Sequence, residues 1–320
     1  MNTNEVVTVV NLDKYLKPIS RDIAPIIKSV GDVGIILSNH MKNLPIYKNN
    51  RSLYLPCEGH ISFIGSSSYN IHGETQTSLD VYANMLFRDS LMKIGSVKAI
   101  VSEEDNDITM VNEDAIYTVA YDPIDGSSNI DLNIPIGSIF AVYDTNTEIV
   151  MAGYILYGTS TVYVLAINKE VTIFALDDKN QWVLTQSNVT IPTSGVNYSI
   201  NEGNEKYWTP DTKRYIAGLK DVGKYSLRYI GSMVADIHRT LLVGGIFIYP
   251  SDTKNSNGKL RQLYEVNPMS YIIEAAGGVS YTGRGKVRCL DVPIVDIHQK
   301  CPIFIGSVSN VDQATTYGQK

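Results

Sequence analysis

The chain has 320 residues, 44% of them hydrophobic, so it can bury more than one core and about two domains are expected. Its formal net charge is −6, with only 27 lysines and arginines. This balance argues against a nucleic-acid partner, because a nucleic-acid surface normally needs a basic face. The three cysteines form no Cys-x-x-Cys pair; they are Cys57, Cys289 and Cys301. They indicate neither a disulfide framework nor a zinc site, and they favour a reducing cytosol.

Targeting and membrane signals are not apparent in the sequence. The N-terminal MNTNEVVTVVNLDK has no basic residue before Lys14, unlike a signal peptide. The longest apolar stretch of the second half, LLVGGIFIY, is too short to cross a bilayer. The C-terminal TTYGQK carries no recognisable peroxisomal or lipidation tag. A cytoplasmic protein with no membrane partner is therefore expected.

Helical patterns come first along the chain. Within residues 11–44, DKYLKPI and IIKSVGDVGIILSNHM read as helices. The second of them has apolar side chains at helical spacing, namely Ile26, Ile27, Val30, Val33 and Leu37. A third helix, TSLDVYANMLFRDSLMK, is amphipathic and would begin near Thr77 or Ser78 as its cap.

Segments rich in β-branched and aromatic residues follow: VKAIVSEE, YTVAYD, GSIFAVYD, VMAGYILYG, TVYVLAIN, EVTIFALDD and QWVLTQ. Their close spacing predicts one large, mostly antiparallel sheet. After about residue 192, strand patterns (NYSIN, RYIG, GGIFIYP, CPIFIG) alternate with helical patterns (PDTKRYIAGL, MVADIHRTLLVG, NPMSYIIEAAGG). This alternation predicts an α/β domain over residues 193–320, after a first domain over residues 1–192 that combines the N-terminal helices with the large sheet.

The stretch AYDPIDGSSNID, residues 120–131, collects acidic side chains where a strand should end. Asp122 and Asp125 flank a proline that stops the ladder, so both carboxylates point away from it. Gly126 permits a sharp turn, and the following Ser-Ser-Asn can begin a helical turn whose free N–H groups form an anion site. One loop thus offers oxygen ligands for a cation beside a cradle for phosphate, as metal-assisted phosphoryl transfer requires. These residues are also common in turns, so the loop alone leaves a structural interpretation open.

Further acidic residues favour a functional interpretation. VSEED supplies Glu103, Glu104 and Asp105 at the end of another apolar strand, and Glu265 lies in LYEVNP just before a predicted helix. Acids at the ends of elements, without lysine or arginine beside them in sequence, indicate a bound cation. The five histidines show no metal spacing and are interpreted as structural: His40, His60, His72, His238 and His298.

Together these segments resemble the class I fructose-1,6-bisphosphatases, within the wider lithium-sensitive, metal-dependent sugar-phosphatase superfamily. YDPIDGSSNID is similar to the family signature Asp-Pro-Leu-Asp-Gly-Ser-Ser-Asn-Ile-Asp, with Ile124 in place of leucine. Other segments match in the family's order: VSEED, YSINEG, RYIGSMVADIHRT, GGIFIYP and NGKLRQLYEVNPM. The resemblance is continuous from about residue 65 to 309, and the helical N-terminus matches only loosely.

The resemblance implies a layered α/β/α/β/α sandwich of the sugar-phosphatase type, with α+β and α/β parts in two subdomains. It implies hydrolysis of the 1-phosphate of fructose 1,6-bisphosphate, giving fructose 6-phosphate and inorganic phosphate, as in gluconeogenesis. No nucleophilic cysteine or Ser-His pair is apparent, so activated water is the expected nucleophile. The implied cofactor is Mg²⁺, with Mn²⁺ as a substitute, at two or three ions per subunit. The implied assembly is a homotetramer.

Residue by residue, the resemblance assigns the metal sites to Glu103, Asp122, Asp125, Glu265 and the carbonyl of Ile124. Glu104 and Asp80 would orient and deprotonate the attacking water. Glu74 stands where the family has an aspartate on a loop that closes over the metals. Asp125 would also lie beside the leaving sugar hydroxyl. The departing phosphate would be held by the N–H groups of Gly126, Ser127 and Ser128.

The resemblance assigns the second phosphate to fixed donors, as suits a phosphate far from the metals. Those donors are Asn201, Tyr229 and Tyr249, with Arg228 reaching in from a neighbouring subunit. Lys259 would contact both sugar and phosphate, and the backbone from Gly231 to Met233 the sugar hydroxyls. One family tyrosine is replaced by Asn204. Taken alone, Tyr229 and Tyr249 would be interpreted as core aromatics, Arg228 as a surface charge and Lys259 as a turn residue.

Two alternatives remain at the level of sequence. Sedoheptulose-1,7-bisphosphatase uses the same chemistry with a different sugar pocket, although GSSNID and NGKLR look more like the fructose enzyme. A catalytically silent sugar-phosphate sensor would need a broken acidic set, and every main position here is acidic.

The resemblance is weakest at a regulatory site. Many family members bind inhibitory AMP through a Gly-Glu-Leu-Thr helix start and a Lys-Tyr pair on the strand before the signature. Here the helix start is RDIAPII, with Ala24 and Pro25, and Ile116 replaces the lysine before Tyr117. Weak inhibition by AMP is therefore expected, unless Arg21 supplies the missing charge.

Overall fold

The computed structural model describes residues 10–49, 68–69, 75–76, 78–283 and 285–317. The helices are α1 Leu12–Leu16, α2 Ala24–Asn49, α3 Ser78–Leu91, α4 Pro210–Val222, α5 Met233–Val243, α6 Asn267–Ala275 and α7 Val308–Thr316. Short 3-10 helices span Ser127–Leu132, Glu202–Tyr207 and Cys289–Asp291, and a π-helical turn spans Gln262–Val266.

The strands are β1 Ser68–Tyr69, β2 Thr75–Gln76, β3 Val97–Ser102, β4 Thr109–Met110, β5 Tyr117–Asp125, β6 Ile136–Tyr143, β7 Ile149–Tyr157, β8 Thr161–Ile167, β9 Glu170–Leu176, β10 Trp182–Gln186, β11 Asn197–Ser199, β12 Ser226–Leu227, β13 Ile246–Tyr249, β14 Leu260–Arg261, β15 Val279–Tyr281, β16 Lys300–Cys301 and β17 Ile303–Gly306. β1 pairs with β2, and β14 pairs with β16, in two small ribbons.

The predicted large sheet is confirmed. Its eight strands lie in the order β10-β9-β8-β7-β6-β5-β3-β4, and all neighbours are antiparallel except β3 and β5. This one parallel pair matters for the acidic residues. Ser102 lies opposite Tyr121 in the ladder, so Glu103, just after β3, lies beside Asp122 of β5. The amide of Glu103 still donates to the carbonyl of Tyr121, at 3.2 Å.

A second, five-stranded sheet has the order β12-β11-β13-β17-β15 and mixes parallel and antiparallel pairs. The sequence patterns missed β15, which has only three residues. The predicted strand at RYIG is wrong, because the chain leaves β12 at Leu227. The amides of Ile230 and Gly231 donate instead to the carboxylate of Asp236, at 3.0 and 3.2 Å, and not to a neighbouring strand.

Three apolar clusters hold five layers of helices and strands together, and the central cluster includes the middle layer of helices. One lies between α1–α3 and the large sheet, with Ile26, Val30, Phe87, Phe140 and Tyr163 among its members. The central cluster joins the other face of that sheet to α5, α6 and the second sheet, through Ile139, Tyr154, Ile237, Met269 and Phe247. The third lies between the second sheet and α4 and α7, through Ile246, Ile248, Tyr215 and Val311. Neighbours along a strand, such as Ile246 and Phe247, enter opposite clusters as the strand period requires.

The layered α/β/α/β/α arrangement is thus confirmed. Ile191, at the predicted junction, donates its amide to Ala276 at 2.9 Å. The division of the chain at residue 192 stays a prediction. Among helices within the described ranges, none is long and apolar enough to cross a bilayer.

Candidate active site

A cavity of about 680 Å³ opens where the ends of β3 and β5 meet the start of α5 and the π-helical turn. The structure brings most of the predicted site residues to its wall: Asp80, Glu103, Glu104, Asp122, Ile124, Asp125, Gly126, Ser127, Ser128, Asn201, Tyr229, Gly231, Met233, Tyr249, Lys259 and Glu265. Their individual roles stay predictions. Arg228 lies outside this wall, and Glu74 lies outside the described residues.

The most acidic part of the wall is a compact carboxylate cluster. One carboxylate oxygen from each of Asp122, Asp125 and Glu265 lies within 4.8 Å of the others, and all three side chains are buried. The carboxyl of Glu103 hydrogen-bonds to that of Asp122. Burial, followed by the charges of Glu103 and Asp125, raises the pKa of Asp122 well above its ordinary value. Burial, followed by the charge of Glu265, does the same for the pKa of Glu103.

A β-bulge in β5 places two of these acids on one face. Asp122 lies opposite Ile139 in the ladder, whereas Asp125 lies opposite Gly137. Three residues on β5 therefore span two on β6. In a regular strand, residues three apart point to opposite faces, and the extra residue of a bulge cancels that alternation. The bulge is held by Ser138, whose hydroxyl donates to the carbonyl of Pro123 at 2.7 Å.

Asp125 is fixed by the start of α5. Its Oδ2 accepts from the Ser232 hydroxyl at 2.9 Å and from the Val234 amide at 2.7 Å. Burial raises the pKa of Asp125 to about 6, and these hydrogen bonds limit the rise. Hydrogen bonds from a helix N-terminus stabilise the ionised form, so this acid is held ready to bind a cation.

Glu265 reaches the cluster from the π-helical turn. Its Oε2 accepts from the amide of Arg261 at 2.5 Å. Arg261, buried in the same wall, is a candidate functional residue that the sequence patterns missed. Its positive charge lowers the pKa of Glu103, against the larger effect of burial. The only sequence signal was its position beside Lys259 in NGKLR.

The predicted phosphate cradle has the expected backbone. Gly126 has φ of +85°, and a Cβ there would meet the Cβ of Ser232 at 2.7 Å, so only glycine fits. The 3-10 helix Ser127–Leu132 begins directly after it, and its first N–H groups have no partner within the helix. These donors lie in the wall beside the carboxylates, as the Gly-Ser-Ser sequence predicts.

Asp80 and Glu104 complete the acidic end. Asp80 lies in the first turn of α3 and is buried, and Glu104 is half-buried. Asn84 ties their segments together, since its Oδ1 accepts from the hydroxyls of Ser102 and Tyr121 at 2.8 and 2.9 Å. Asn84 is a second residue that no sequence motif indicated.

At the other end of the cavity the wall is aromatic and cationic. Tyr229, Tyr249, Asn201 and Lys259 line it, and the side chain of Asn201 hydrogen-bonds to Tyr229. Burial raises the pKa of Tyr229 further above neutral pH, so its hydroxyl is protonated and can act as a donor.

The loop that carries Tyr229 is organised by Asp236. This fully buried carboxylate accepts from the amides of Ile230 and Gly231 and pairs with Arg239 at 2.8 Å. Arg239 also donates to the carbonyl of Arg228 at 2.7 Å. Arg228 itself is exposed, and its guanidinium donates to the carbonyl of Leu227 at 3.1 Å.

The donor set fits a hard divalent cation. The buried oxygens of Asp122, Asp125 and Glu265 converge within 4.8 Å. Such crowding is unfavourable without a compensating cation, as the raised pKa values of Asp122 and Glu103 indicate. Oxygen-only ligands of this kind suit Mg²⁺ and Mn²⁺ and not softer metals. The residues present therefore fit the cofactor that the resemblance implies.

Comparison with known proteins gives the same family for both halves of the chain. Residues 59–187 match the family model of the fructose-1-6-bisphosphatase N-terminal domain, and residues 191–319 match that of the C-terminal domain. The cytosolic fructose-1,6-bisphosphatase of Arabidopsis thaliana is 44% identical over 265 residues, covering 76% of this chain and 77% of the relative. The chloroplastic fructose-1,6-bisphosphatase of Pisum sativum is 42% identical over 286 residues, covering 78% and 70%.

A solved structure gives the corresponding result for the fold. The crystal structure of Leishmania major fructose-1,6-bisphosphatase in holo form has a TM-score of 0.87 and 33% sequence identity, and covers 98% of this chain and 100% of that chain. The same enzyme in its T-state gives a TM-score of 0.83. On the two domain matches, the relatives and the site geometry together, this chain belongs to the fructose-1,6-bisphosphatase family.

Proposed function

We propose that this protein hydrolyses the 1-phosphate of fructose 1,6-bisphosphate, giving fructose 6-phosphate and inorganic phosphate, as in gluconeogenesis. The observation that carries the proposal is the cavity itself, in a member of this family. Its acidic end gathers three carboxylates within 4.8 Å beside a phosphate cradle, and its other end presents tyrosine, asparagine and lysine donors. Those two chemistries suit the two phosphates of one sugar bisphosphate.

The hydrolysis takes place at the acidic end of the cavity. Asp122, Asp125, Glu265, Glu103 and the carbonyl of Ile124 would hold Mg²⁺ or Mn²⁺, two or three ions per subunit, which would neutralise phosphate charge and acidify the attacking water. Glu104 and Asp80 accept the proton from that water.

The remaining wall holds and releases the phosphate. The N–H groups of Gly126, Ser127 and Ser128 bind the departing phosphate by charge-assisted hydrogen bonds. Asp125 lies beside the sugar oxygen that leaves. Glu74, with one methylene more than the family's aspartate, assists at the metal site.

The other end binds the second phosphate and the sugar. Asn201, Tyr229 and Tyr249 donate to the phosphate, Lys259 contacts phosphate and sugar, and the backbone from Gly231 to Met233 contacts the sugar hydroxyls. The exposed position of Arg228 supports its service to a neighbouring subunit, in a homotetramer. With Asn204 in place of a tyrosine, this end has one aromatic donor fewer.

Phosphate release from two substrates tests the proposal. The enzyme with Mg²⁺ is expected to release phosphate faster from fructose 1,6-bisphosphate than from sedoheptulose 1,7-bisphosphate, and to lose activity with a chelator. Faster phosphate release from sedoheptulose 1,7-bisphosphate would show that this sugar is the preferred substrate. Phosphate release from neither compound would indicate a catalytically silent sugar-phosphate sensor. Full activity in the chelator would contradict the metal assignment.

A cytoplasmic location is part of the proposal, and cell fractionation tests it, since both cytosolic and chloroplastic relatives match.

A further inference from the structure

His298 lies behind the acidic end of the cavity and bridges two segments that supply its acids. Its Nδ1 is 2.8 Å from the hydroxyl of Tyr264, the residue before Glu265 in the π-helical turn. Its Nε2 is 3.1 Å from the carbonyl oxygen of Asp105, which follows Glu104. The ring lies outside the cavity wall.

The partners of the ring define its tautomer. A carbonyl oxygen can only accept, so Nε2 carries the proton and donates to Asp105. Burial lowers the pKa of His298, which keeps the ring neutral at physiological pH. Nδ1 is then the acceptor, and the hydroxyl of Tyr264 donates to it. The bridge therefore runs in one direction, from Tyr264 through the ring to Asp105.

Both ends of this bridge are anchored. The side chain of Asp105 accepts from Asn84 at 2.9 Å and lies 3.5 Å from the guanidinium of Arg88, both on α3. Tyr264 is completely buried in the central cluster. The loop of His298 is itself held, since its amide donates to Asp296 at 2.7 Å.

The bridge spans two parts of the fold that the backbone does not connect directly. Glu103 and Glu104 follow β3 of the large sheet, whereas Glu265 belongs to the turn that leads into α6. Glu103, Glu104 and Glu265 all line the acidic end of the cavity, so the repulsion between their ionised carboxylates favours separation of these segments. A neutral ring that hydrogen-bonds to both segments opposes that separation without adding charge.

We propose that His298 is a positioning residue that sets the spacing between the Glu103–Glu104 segment and Glu265, so that the cation site is formed before the cation binds. The inference rests on the proposed function in that these acids are the ones assigned to Mg²⁺. In known metal sites, groups that orient the ligands through hydrogen bonds affect metal affinity by about 10- to 100-fold.

The chain offers a matched control. His238 makes the same type of bond, with Nδ1 2.8 Å from the hydroxyl of Tyr154 and the rings edge-to-face as in the Tyr264–His298 pair. It joins α5 to β7 and not the Glu103–Glu104 segment to Glu265. His238→Phe therefore removes an equivalent histidine–tyrosine bond without touching the proposed bridge.

Mn²⁺ binding to the otherwise metal-free enzyme, followed by electron paramagnetic resonance, tests the proposal. His298→Phe is expected to weaken Mn²⁺ binding by about 10- to 100-fold. His298→Gln, whose amide can donate in place of Nε2, should recover most of that loss, and Tyr264→Phe should fall between. His238→Phe should bind Mn²⁺ like the wild type.

A second measurement needs no metal. Amide hydrogen exchange of residues 103–106 in the chelated enzyme should be faster in His298→Phe and close to normal in His298→Gln. Should His298→Phe fail to fold, Tyr264→Phe and His298→Gln carry the same comparison. The inference is overturned if His298→Phe matches His238→Phe in both measurements, or if His298→Gln is no better than His298→Phe. Absence of Mn²⁺ binding by the wild type would instead refute the metal assignment, while the exchange comparison still judges the bridge.

Discussion

Glu104 and Asp125 show how position divides similar residues between two tasks. Asp125 is buried, accepts two hydrogen bonds from the start of α5 and belongs to the carboxylate cluster. Glu104 lines the same cavity but is half-buried and lies outside that cluster. An acid held by fixed donors suits a ligand, whereas a more accessible acid at the wall suits proton transfer.

Glu104→Gln is therefore expected to abolish turnover and leave substrate binding largely intact. The amide keeps the shape of the side chain but cannot accept the proton, and loss of a general base typically costs about a hundredfold to ten-thousandfold in rate. Turnover is measured by phosphate release, and binding by calorimetry with fructose 1,6-bisphosphate. Glu113→Gln, an exposed acid away from the cavity, is the control. A variant within tenfold of wild-type turnover would show that Glu104 is not the base.

At the residue scale, the sequence allows contacts to be predicted when the residues belong to one short motif. Asp122, Asp125 and Gly126 come together in one loop, so their meeting could be predicted. His298 acts through bonds to residues that lie elsewhere in the chain, and it reaches a residue 193 positions away. A single sequence carries no local pattern for such pairs, and His298 was accordingly predicted to be only structural.

At the element scale, the sequence predicts type better than detail. Seven of the eight strands of the large sheet and the helical turn after Gly126 occur where patterning predicts them. β4 was not predicted, and the prediction that Pro123 stops the ladder is wrong, because β5 continues to Asp125. The bulge in β5 and the π-helical turn were not predicted, although each turns an acid toward the cavity. Both are single-residue departures from a regular period, and they depend on tertiary partners such as Ser138. The strand predicted at RYIG was wrong for a similar reason, because the amides of this segment hydrogen-bond to the buried carboxylate of Asp236.

The start of α2 leads to a prediction about AMP. The amides of Asp22, Ile23, Ala24, Ile26 and Ile27 all donate within the turn, to Ser20 or Ile23, and Pro25 has none to offer. The nearby negative charges of Asp22 and Asp144 help burial to raise the pKa of Tyr117. A phosphate dianion would thus find few donors and an unfavourable charge.

Weak AMP inhibition is expected, because each lost cation, hydroxyl or amide contact is worth on the order of 1–3 kcal/mol when desolvated. Activity is measured against AMP concentration at saturating Mg²⁺. Ile116→Lys, which returns a cation beside Tyr117, should increase sensitivity, and Ile116→Leu should not. Cooperative inhibition of the unaltered enzyme at micromolar AMP would contradict this prediction.

At the scale of the whole molecule, the layers explain why the cavity forms where it does. β3 and β5 belong to the large sheet, α5 and α6 lie between the sheets, and Tyr249 ends β13 of the second sheet. Three neighbouring layers therefore contribute to the wall of this one cavity. The period of each element predicts the layers, but only the ordering of strands in the two sheets brings the two ends of the cavity together.

Metal binding should be linked to global stability and to pH. Burial raises the pKa of Asp125 to about 6, and those of Asp122 and Glu103 well above their ordinary values. Acids with a raised pKa in the folded state contribute their full stability when protonated at low pH, and that contribution is lost as pH rises through the raised pKa. Without a cation, the folded state is therefore destabilised most at high pH, where the carboxylates are ionised and repel one another. A bound cation relieves that repulsion.

The increase in Tm caused by Mg²⁺ is accordingly expected to be larger at pH 8 than at pH 5.5. Thermal melting with Mg²⁺ or chelator at both pH values measures it. Glu103→Gln should raise the Tm of the chelated enzyme at pH 8, because one repelling charge is removed. An equal Mg²⁺ increment at both pH values would contradict the linkage.

Arg228 is the residue that we propose to act across a subunit interface. It is exposed, outside the cavity wall of its own chain, and its backbone is fixed by Arg239. Leu227 beside it and Leu242 and Val243 at the end of α5 are exposed apolar side chains. Exposed apolar side chains are typical of a subunit interface, and an interface at this face would let Arg228 enter a neighbour's cavity.

Mixed oligomers test this arrangement. Arg228→Ala subunits keep their carboxylates but lack the donated arginine, whereas Asp122→Asn subunits keep the arginine but cannot hold the cation. In a hybrid pair the Arg228→Ala cavity receives an intact arginine from its partner, so one of the two sites works. Random equal mixing then gives about a quarter of wild-type activity, since half of the pairs are hybrids. Mixing Arg228→Ala with a double variant, Arg228→Ala with Asp122→Asn, is the control and should give no recovery. Verified hybrids without recovered activity would place the action of Arg228 within its own chain.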